Sequence, residues 1–258
     1  MKINLKDCTF LIQVQLDSVD RLVNVLSVLK FIKQNFNTNI HILEAGPFDN
    51  KLLSQLIPSE VKYKFIRDRD PVYYRTLYIN KMVRECDTPY LTAWETDIIV
   101  PPCQVLQSIE LIRSQQADFV SPYEKNALDT SKIIRELFLE DGDWKILEKH
   151  QKKMEKMYPP NPVGGAFFAN REKYIESGLE NLKFYGWGVE DGERVTRWKV
   201  LEYEYKRIPG NLYHLTHGRG NNSTFHGERQ REKKIVELNN IHQSTKEELL
   251  EKTSRWEY

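Results

Sequence analysis

Apolar and polar positions along this chain fall into two kinds of stretch that alternate. Residues 9–16, Thr-Phe-Leu-Ile-Gln-Val-Gln-Leu, are β-branched and apolar, which predicts a buried first strand. Asp17 and Ser18 end it and suit a helix cap. Leu22, Val25, Leu26, Leu29, Ile32 and Phe36 then recur at helical spacing, which predicts an amphipathic helix over 19–36. Residues 39–46 predict a second strand closed by a glycine turn, 49–56 a short helix and 61–66 a third strand. Strand, helix, strand, helix, strand is the order of an α/β layered sheet.

The pattern continues with helices over 72–86 and 103–116 and a short strand at 118–121. Between the helices, residues 89–102 hold a strand, an acidic pair and a strand remnant stopped by Pro101 and Pro102. Residues 129–157 read as two charged helical pieces broken at Asp141-Gly142-Asp143, an insert or lid over the sheet. A proline-rich loop from Tyr158 leads through Gly164-Gly165 into another strand, followed by a helix over 171–177. A helix from Glu190 to about Tyr203 and a strand over 206–212 come next. Ser244-x-x-Glu247 reads as a capping box that divides two C-terminal helices. Their apolar side, Ile235, Leu238, Ile241, Leu249 and Trp256, either packs on the domain or meets a partner or membrane face. The expected organisation is one domain over 1–225 with a helical extension over 226–258.

Composition narrows the class. Of the 258 residues, 40% are hydrophobic and 29% charged, as in a soluble globular chain with a sizeable core. The net charge of +1 gives no global reason to expect nucleic acid. Cys8, Cys86 and Cys103 are far apart and form no C-x-x-C, so neither a zinc site nor a disulfide framework is indicated. The first residues carry no apolar signal-peptide core, and no run approaches the ~20 apolar residues needed to span a bilayer. A cytoplasmic protein is expected, with room for contact at the inner membrane face.

Candidate chemistry gathers at four places. Lys183 to Glu193 sets Trp187 between Gly186 and Gly188 and follows it with Glu190, Asp191 and Glu193. An indole between glycines offers an open face to a sugar ring, and the carboxylates offer a general base and acceptors for hydroxyls. The same acidic run also suits the first turn of a helix. Glu95 and Asp97, two apart in an apolar run, point to one side if extended and suit a divalent cation, Mn2+ or Mg2+; a salt bridge at a strand end is the plainer use. His214 and His217 follow a strand and would complete a metal shell with a carboxylate. Asp17, Arg21 and Glu44 lie at strand ends, where α/β sheets bind nucleotides. The Gly164-Gly165 pair either turns the chain or lets its N–H groups meet a ligand.

Four segments together resemble the metal-dependent GT-A glycosyltransferases, most closely the β-1,4-galactosyltransferase family with its N-acetylgalactosaminyl relatives. Tyr74-Arg75-Thr76-Leu77-Tyr78-Ile79-Asn80 looks like the family's F-N-R-A-x-L-L-N, and Glu95-Thr96-Asp97 like its D-x-D. Val163-Gly164-Gly165-Ala166 resembles F-G-G-V, and Tyr185 to Asp191 resembles W-G-W-G-G-E-D. The segments stand in the family's order, and the likeness spans roughly residues 10–220.

The resemblance implies a three-layer α/β/α sandwich with a mixed, mainly parallel sheet. It implies Asp97 as metal ligand, with His214 or His217 as a further one. Donor-side roles fall to Gln15, Asp17, Arg21, Glu44, Arg75, Asn80, Glu95, Thr96, Gly164 and Gly165. Tyr185, Trp187 and Gly188 would meet the acceptor, Glu190 would hold it, and Asp191 would be the catalytic base. Glu95 stands where the family has its first Asp and Tyr185 where it has its first Trp. The family's luminal anchor is not seen, which fits a bacterial-type enzyme of surface polysaccharide or lipid-linked glycan synthesis. The expected activity is metal-dependent, inverting transfer of a hexose or N-acetylhexosamine from a UDP-sugar to a glycan hydroxyl. A non-catalytic nucleotide-sugar or carbohydrate-binding protein and a sugar nucleotidyltransferase are the alternatives.

Overall fold

The computed structural model describes residues 2–159 and 161–256; residues 257 and 258 of the expected C-terminal extension lie outside them. The chain opens with β1 (Ile3–Val14), α1 (Val19–Asn35), β2 (Phe36–Gly46), α2 (Leu52–Leu56) and β3 (Lys62–Arg67). It continues with α3 (Arg75–Arg84), β4 (Tyr90–Trp94), β5 (Ile98–Ile99), α4 (Pro102–Arg113), β6 (Phe119–Ser121) and β7 (Ala127–Asp129). Then follow α5 (Lys132–Asp141), α6 (Lys145–His150), β8 (Glu155–Lys156), β9 (Ala166–Asn170) and α7 (Arg171–Glu176). The last elements are α8 (Glu190–Val200), β10 (Tyr205–Arg207), β11 (Leu212–His214), α9 (Glu228–Gln243) and α10 (Lys246–Ser254).

The main sheet runs β10-β6-β9-β4-β1-β2-β3, and only β9 is antiparallel to its neighbours β4 and β6. Successive side chains of a strand face opposite sides, and here both sides are apolar. Phe10, Ile12 and Val14 of β1 join a core with Val25, Val28 and Ile32 of α1 and Val105 and Ile109 of α4. Leu11 faces the other way, into a core with Ile79 and Met82 of α3 and Trp198 of α8. Covering both faces with helices is what makes the strands read as unbroken apolar runs. Ser18 caps α1, accepting from the Arg21 N–H at 3.2 Å.

A second sheet, β5-β11-β7-β8, lies beside the first. The single strand expected over 206–212 is in fact two strands in different sheets: β10 pairs with β6, and β11 pairs with β5 and β7. The switch falls at Pro209-Gly210. Gly210 has φ +141°, and a Cβ there would overlap the Gln104 side chain. β7 and β8 were not predicted, being too short for periodicity to register.

The helices of 129–157 turn Ile134, Phe138 and Leu147 into the main core, and Arg135 donates to Asn24 of α1 at 2.9 Å. The C-terminal helices meet α8 through Leu201, Ile241 and Leu249. Their capping box is one residue later than expected: Thr245 accepts from the Glu248 N–H, and Glu248 accepts from the Thr245 N–H. Cys8 and Cys86 are buried and Cys103 is exposed, all as free thiols. Among the described residues no helix is long and apolar enough to cross a membrane.

Candidate active site

The ends of β1, β4 and β11, the start of β9 and the N-terminus of α8 open on one cavity of about 620 Å³. β9 runs against β4, so the Gly164-Gly165 turn that begins it lies beside Glu95, whose N–H donates to the Gly165 carbonyl at 3.0 Å.

Strand pairing in the second sheet brings together three residues that could hold a metal ion. His214 pairs with Ile98 on one side and Asp129 on the other, and the Leu215 N–H donates to the Asp97 carbonyl at 2.7 Å. One ligand atom from each of Asp97, His214 and His217 lies within 4.8 Å of the other two. His217 Nε2 is 3.0 Å from Asp97 Oδ2, and His214 Nε2 is 3.7 Å from Asp97 Oδ1. The choice left open between the two histidines therefore dissolves: both converge on Asp97. His214 Nδ1 is held by Asp129 Oδ1 at 2.8 Å, which turns Nε2 toward Asp97.

Asp97 is only 2% exposed, and its buried Oδ1 has no hydrogen-bond partner. Burial pushes its carboxyl up, but His214, His217 and Arg21 outweigh that and hold it far below the usual range. Burial works against protonation of His214, and Asp97 and Asp129 overcome it. An ionised carboxylate with an orphaned oxygen between two imidazoles fits a divalent cation that takes oxygen and nitrogen donors together, such as Mn2+.

Glu95 does not join this set. β4 ends at Trp94, so the extended geometry that would align Glu95 with Asp97 is lost, and Glu95 Oε1 meets Arg75 Nη1 at 2.5 Å. Arg75, the first residue of α3, also lies 3.4 Å from Glu190 Oε1 and 3.9 Å from Asp191 Oδ1. Arg21 sits between Asp17, at 2.9 Å, and Asp97, at 3.7 Å.

The turn from Tyr185 to Glu190 depends on positive φ. Gly186 has φ +75°, Gly188 φ +106° and Val189 φ +70°. A Cβ on Gly188 would come within 2.7 Å of the Phe225 ring, which packs edge-on against Trp187 with centroids 5.3 Å apart. This turn delivers Glu190 and Asp191 as the first residues of α8. Gly164 is needed opposite, since a Cβ there would lie 2.6 Å from Asp191 Oδ2.

The two carboxylates are tuned apart. Burial and the adjacent Asp191 push Glu190 up to about 7, against Arg75 and Lys234, and its Oε2 is buried without a partner. Burial also raises Asp191, but Arg75 and Arg194 prevail and hold it below the usual carboxylate range. Arg194 binds Asp191 Oδ1, leaving Oδ2 over Gly164.

Several assignments need correction. Asn80 is buried away from the cavity, its amide exchanging two 2.9 Å hydrogen bonds with the Glu180 main chain. Tyr185 turns from the cavity toward Asp70 and Tyr74, edge-on to the latter at 5.0 Å. Glu193 is bound by Arg197 at 2.7 Å inside the fold. Glu44, by contrast, lines an adjoining cavity of about 530 Å³, where it accepts from the Tyr63 hydroxyl at 2.8 Å. Gln15 and Asp17 line both cavities, while Thr96, Gly164, Gly165, Trp187 and Gly188 line the larger one. Sequence reasoning passed over Asp129, Arg194, Phe225 and Lys234. None lies in a motif; Arg194 stands three residues after Asp191 on α8, a spacing that could have shown it, and pairing and packing alone bring in the other three.

No protein-family model matches the sequence, and no curated protein matches it. By structure the chain is similar to the catalytic domain of Drosophila β1,4-galactosyltransferase 7 in complex with xylobiose, with TM-score 0.57 and 15% identity over 90% of this chain and 79% of that one. A mutant of that enzyme in complex with manganese, UDP-Gal and xylobiose gives TM-score 0.56 and 15% identity over 88% and 79%. A mannosyltransferase of Pyrobaculum calidifontis in complex with GDP-Man and Mn2+ gives TM-score 0.53 and 11% identity over 84% of this chain, which spans 59% of that protein. The mixed, mainly parallel sheet with helices on both faces, shared with these transferases, is the GT-A glycosyltransferase fold.

Proposed function

We propose that the protein is a metal-dependent, inverting glycosyltransferase that moves a hexose or N-acetylhexosamine, of galactose or N-acetylgalactosamine type, from a UDP-sugar to a glycan hydroxyl. The observation that carries this reading is that the Asp97–His214–His217 set and the Glu190–Asp191 pair open on one cavity. The neighbours' manganese, UDP-Gal and xylobiose favour the same donor and acceptor classes.

On this reading Asp97, His214 and His217 hold Mn2+ (or Mg2+), which when bound offsets charge on the leaving diphosphate. The adjoining cavity, with Gln15, Asp17 and Arg219 shared between the two, takes the nucleoside end of the donor. Trp187 lies against a sugar ring and Glu190 accepts from an acceptor hydroxyl. The attacking hydroxyl oxygen bonds to the anomeric carbon as that carbon's bond to the diphosphate oxygen breaks. Its proton passes to Asp191 Oδ2, and the nucleoside diphosphate leaves with the electron pair. Attack from the face opposite the leaving group inverts the anomeric centre. A cytoplasmic role in surface polysaccharide or lipid-linked glycan synthesis completes the proposal.

The test is calorimetric titration of UDP, UDP-galactose and UDP-N-acetylgalactosamine with Mn2+ and with EDTA. Binding that needs the metal and prefers one UDP-sugar is expected. Absence of nucleotide binding under both conditions overturns the reading.

A further inference from the structure

We infer that Lys234 of the C-terminal helix α9 is a positioning residue for the acceptor side of the cleft, holding the main chain at Gly186 and Trp187 from which Glu190 follows. The assignment of Glu190 to the acceptor rests on the function proposed above; the clamp itself does not.

Gln230, Lys234 and Glu237 stand at i, i+4 and i+7 and so share one face of α9. Gln230 Nε2 donates to the Tyr185 carbonyl at 2.9 Å. Lys234 Nζ donates to the Gly186 carbonyl at 3.1 Å and to the Trp187 carbonyl at 2.7 Å. Glu237 accepts from Asn181 at 3.2 Å and from Lys183 at 2.9 Å. Three consecutive carbonyls of the turn are thus taken by one helix. They become available together because the chain turns through positive φ at Gly186 and again at Gly188 and Val189.

A neutral side chain would serve if bonding carbonyls were the whole task, as Gln230 does. Lys234 is instead a lysine that is only 2% exposed. Burying an ammonium is costly unless its charge is used. The charge has two neighbours: the Phe225 ring, whose centroid lies 5.7 Å from Nζ, and Glu190, whose Oε2 is buried without a hydrogen-bond partner three residues beyond Trp187; burial pulls Lys234 below the ordinary lysine range and Glu190 opposes that. The groups facing Glu190 are Arg75 of α3, Asp191 of α8 and Lys234 of α9. Asp191 opposes ionisation of Glu190 and the two cations favour it, and Arg75 is shared with Glu95 and Asp191. The carboxylate that acts on Lys234 is Glu190. The C-terminal helix therefore supplies both the shape of the turn and part of the field at its end.

The experiment is a pH titration of Trp187 emission, taken as the difference between each protein and its Trp187→Phe counterpart. The wild type should show a midpoint near 7 that Glu190→Gln abolishes. Lys234→Gln keeps the capacity to bond carbonyls and removes the charge, so its midpoint should rise by about one unit while Lys234→Arg stays at the wild-type value. Lys234→Met should add a red shift of Trp187 emission. UDP affinity with Mn2+ should remain within about twofold in all three, and acceptor KM for xylobiose should rise about tenfold in Lys234→Met, the loss of a charged hydrogen bond. Trp187 emission and acceptor KM unchanged in Lys234→Met overturn the clamp, and a midpoint absent from the wild type, unmoved by Lys234→Gln or moved equally by Lys234→Arg overturns the part Lys234 plays at Glu190. Failure of the wild type to bind UDP with Mn2+ overturns the proposed function and leaves the emission result to decide the clamp.

Discussion

Asp191 keeps its charge in a place that should remove it. Burial favours the neutral acid, and only Arg75 and Arg194 reverse the balance. Its replacement leaves no cation stranded, because Arg194 also donates to both Glu180 oxygens at 2.9 Å. Asp191→Asn should therefore fold normally, bind UDP as the wild type does, and lose about 10²–10⁴-fold in kcat; equal losses in UDP affinity and kcat would remove it from the role of base. Asp129 acts one step further out, through His214. Outer-shell partners of metal ligands are commonly worth 10–100-fold in affinity. Asp129→Ala should weaken Mn2+ binding by roughly that factor, read by calorimetry, with the fold intact.

At the scale of elements, the site depends on a strand that changes sheets. β10 belongs to the main sheet and β11 to the second, and the second sheet is what carries His214 to Asp97. The break at Gly210 needs a φ of +141° and space that Gln104 fills, with Gln104 tied to the Pro122 carbonyl at 2.7 Å. Gly210→Ala should cost about 2 kcal/mol from backbone strain and the displaced glutamine, lowering Tm by roughly 5 °C. Because β11 follows directly, Mn2+ affinity should fall in the same variant. A melt unchanged from wild type would mean the switch tolerates a side chain.

At the scale of the whole molecule, the sheet buries a titratable group far from the site. His41 of β2 is only 1% exposed, and burial, with Lys62 adding to it against Glu85, pulls its pKa down to about 4. The unfolded chain takes up this proton below about pH 6.5 and the folded chain does not until about pH 4. Between those values the unfolded state binds more protons, so this group's contribution to stability falls as pH drops through the window. Glu190, raised in the folded state, has the opposite slope between its ordinary value and about 7. The two are separated by comparing urea melts of the wild type and His41→Asn at pH 4.5 and 7: the wild type should lose more stability on acidification. Equal losses would mean that His41 is protonated in the native state.

The apolar runs and helical periods were enough to read the layered α/β sheet, because strands buried on both faces and helices buried on one leave different periods. The site's motif residues were legible for a related reason. Glycines at 164, 186 and 188 stand where a side chain would strike Asp191, Val72 or Phe225; the neighbours are distant in the chain, but the demand for a glycine leaves its mark at the position itself. Asn80 and Tyr185 sat in legible segments yet turned away, since a motif names positions and packing decides directions. Tertiary structure alone decided that both histidines meet Asp97, that Glu95 goes to Arg75 instead, that Asp129 holds His214, and that Lys234 reaches the Gly186 and Trp187 carbonyls. Each of these contacts joins residues by strand pairing or helix packing, and the energy of such a contact depends on distance in space, of which spacing along the chain carries no record.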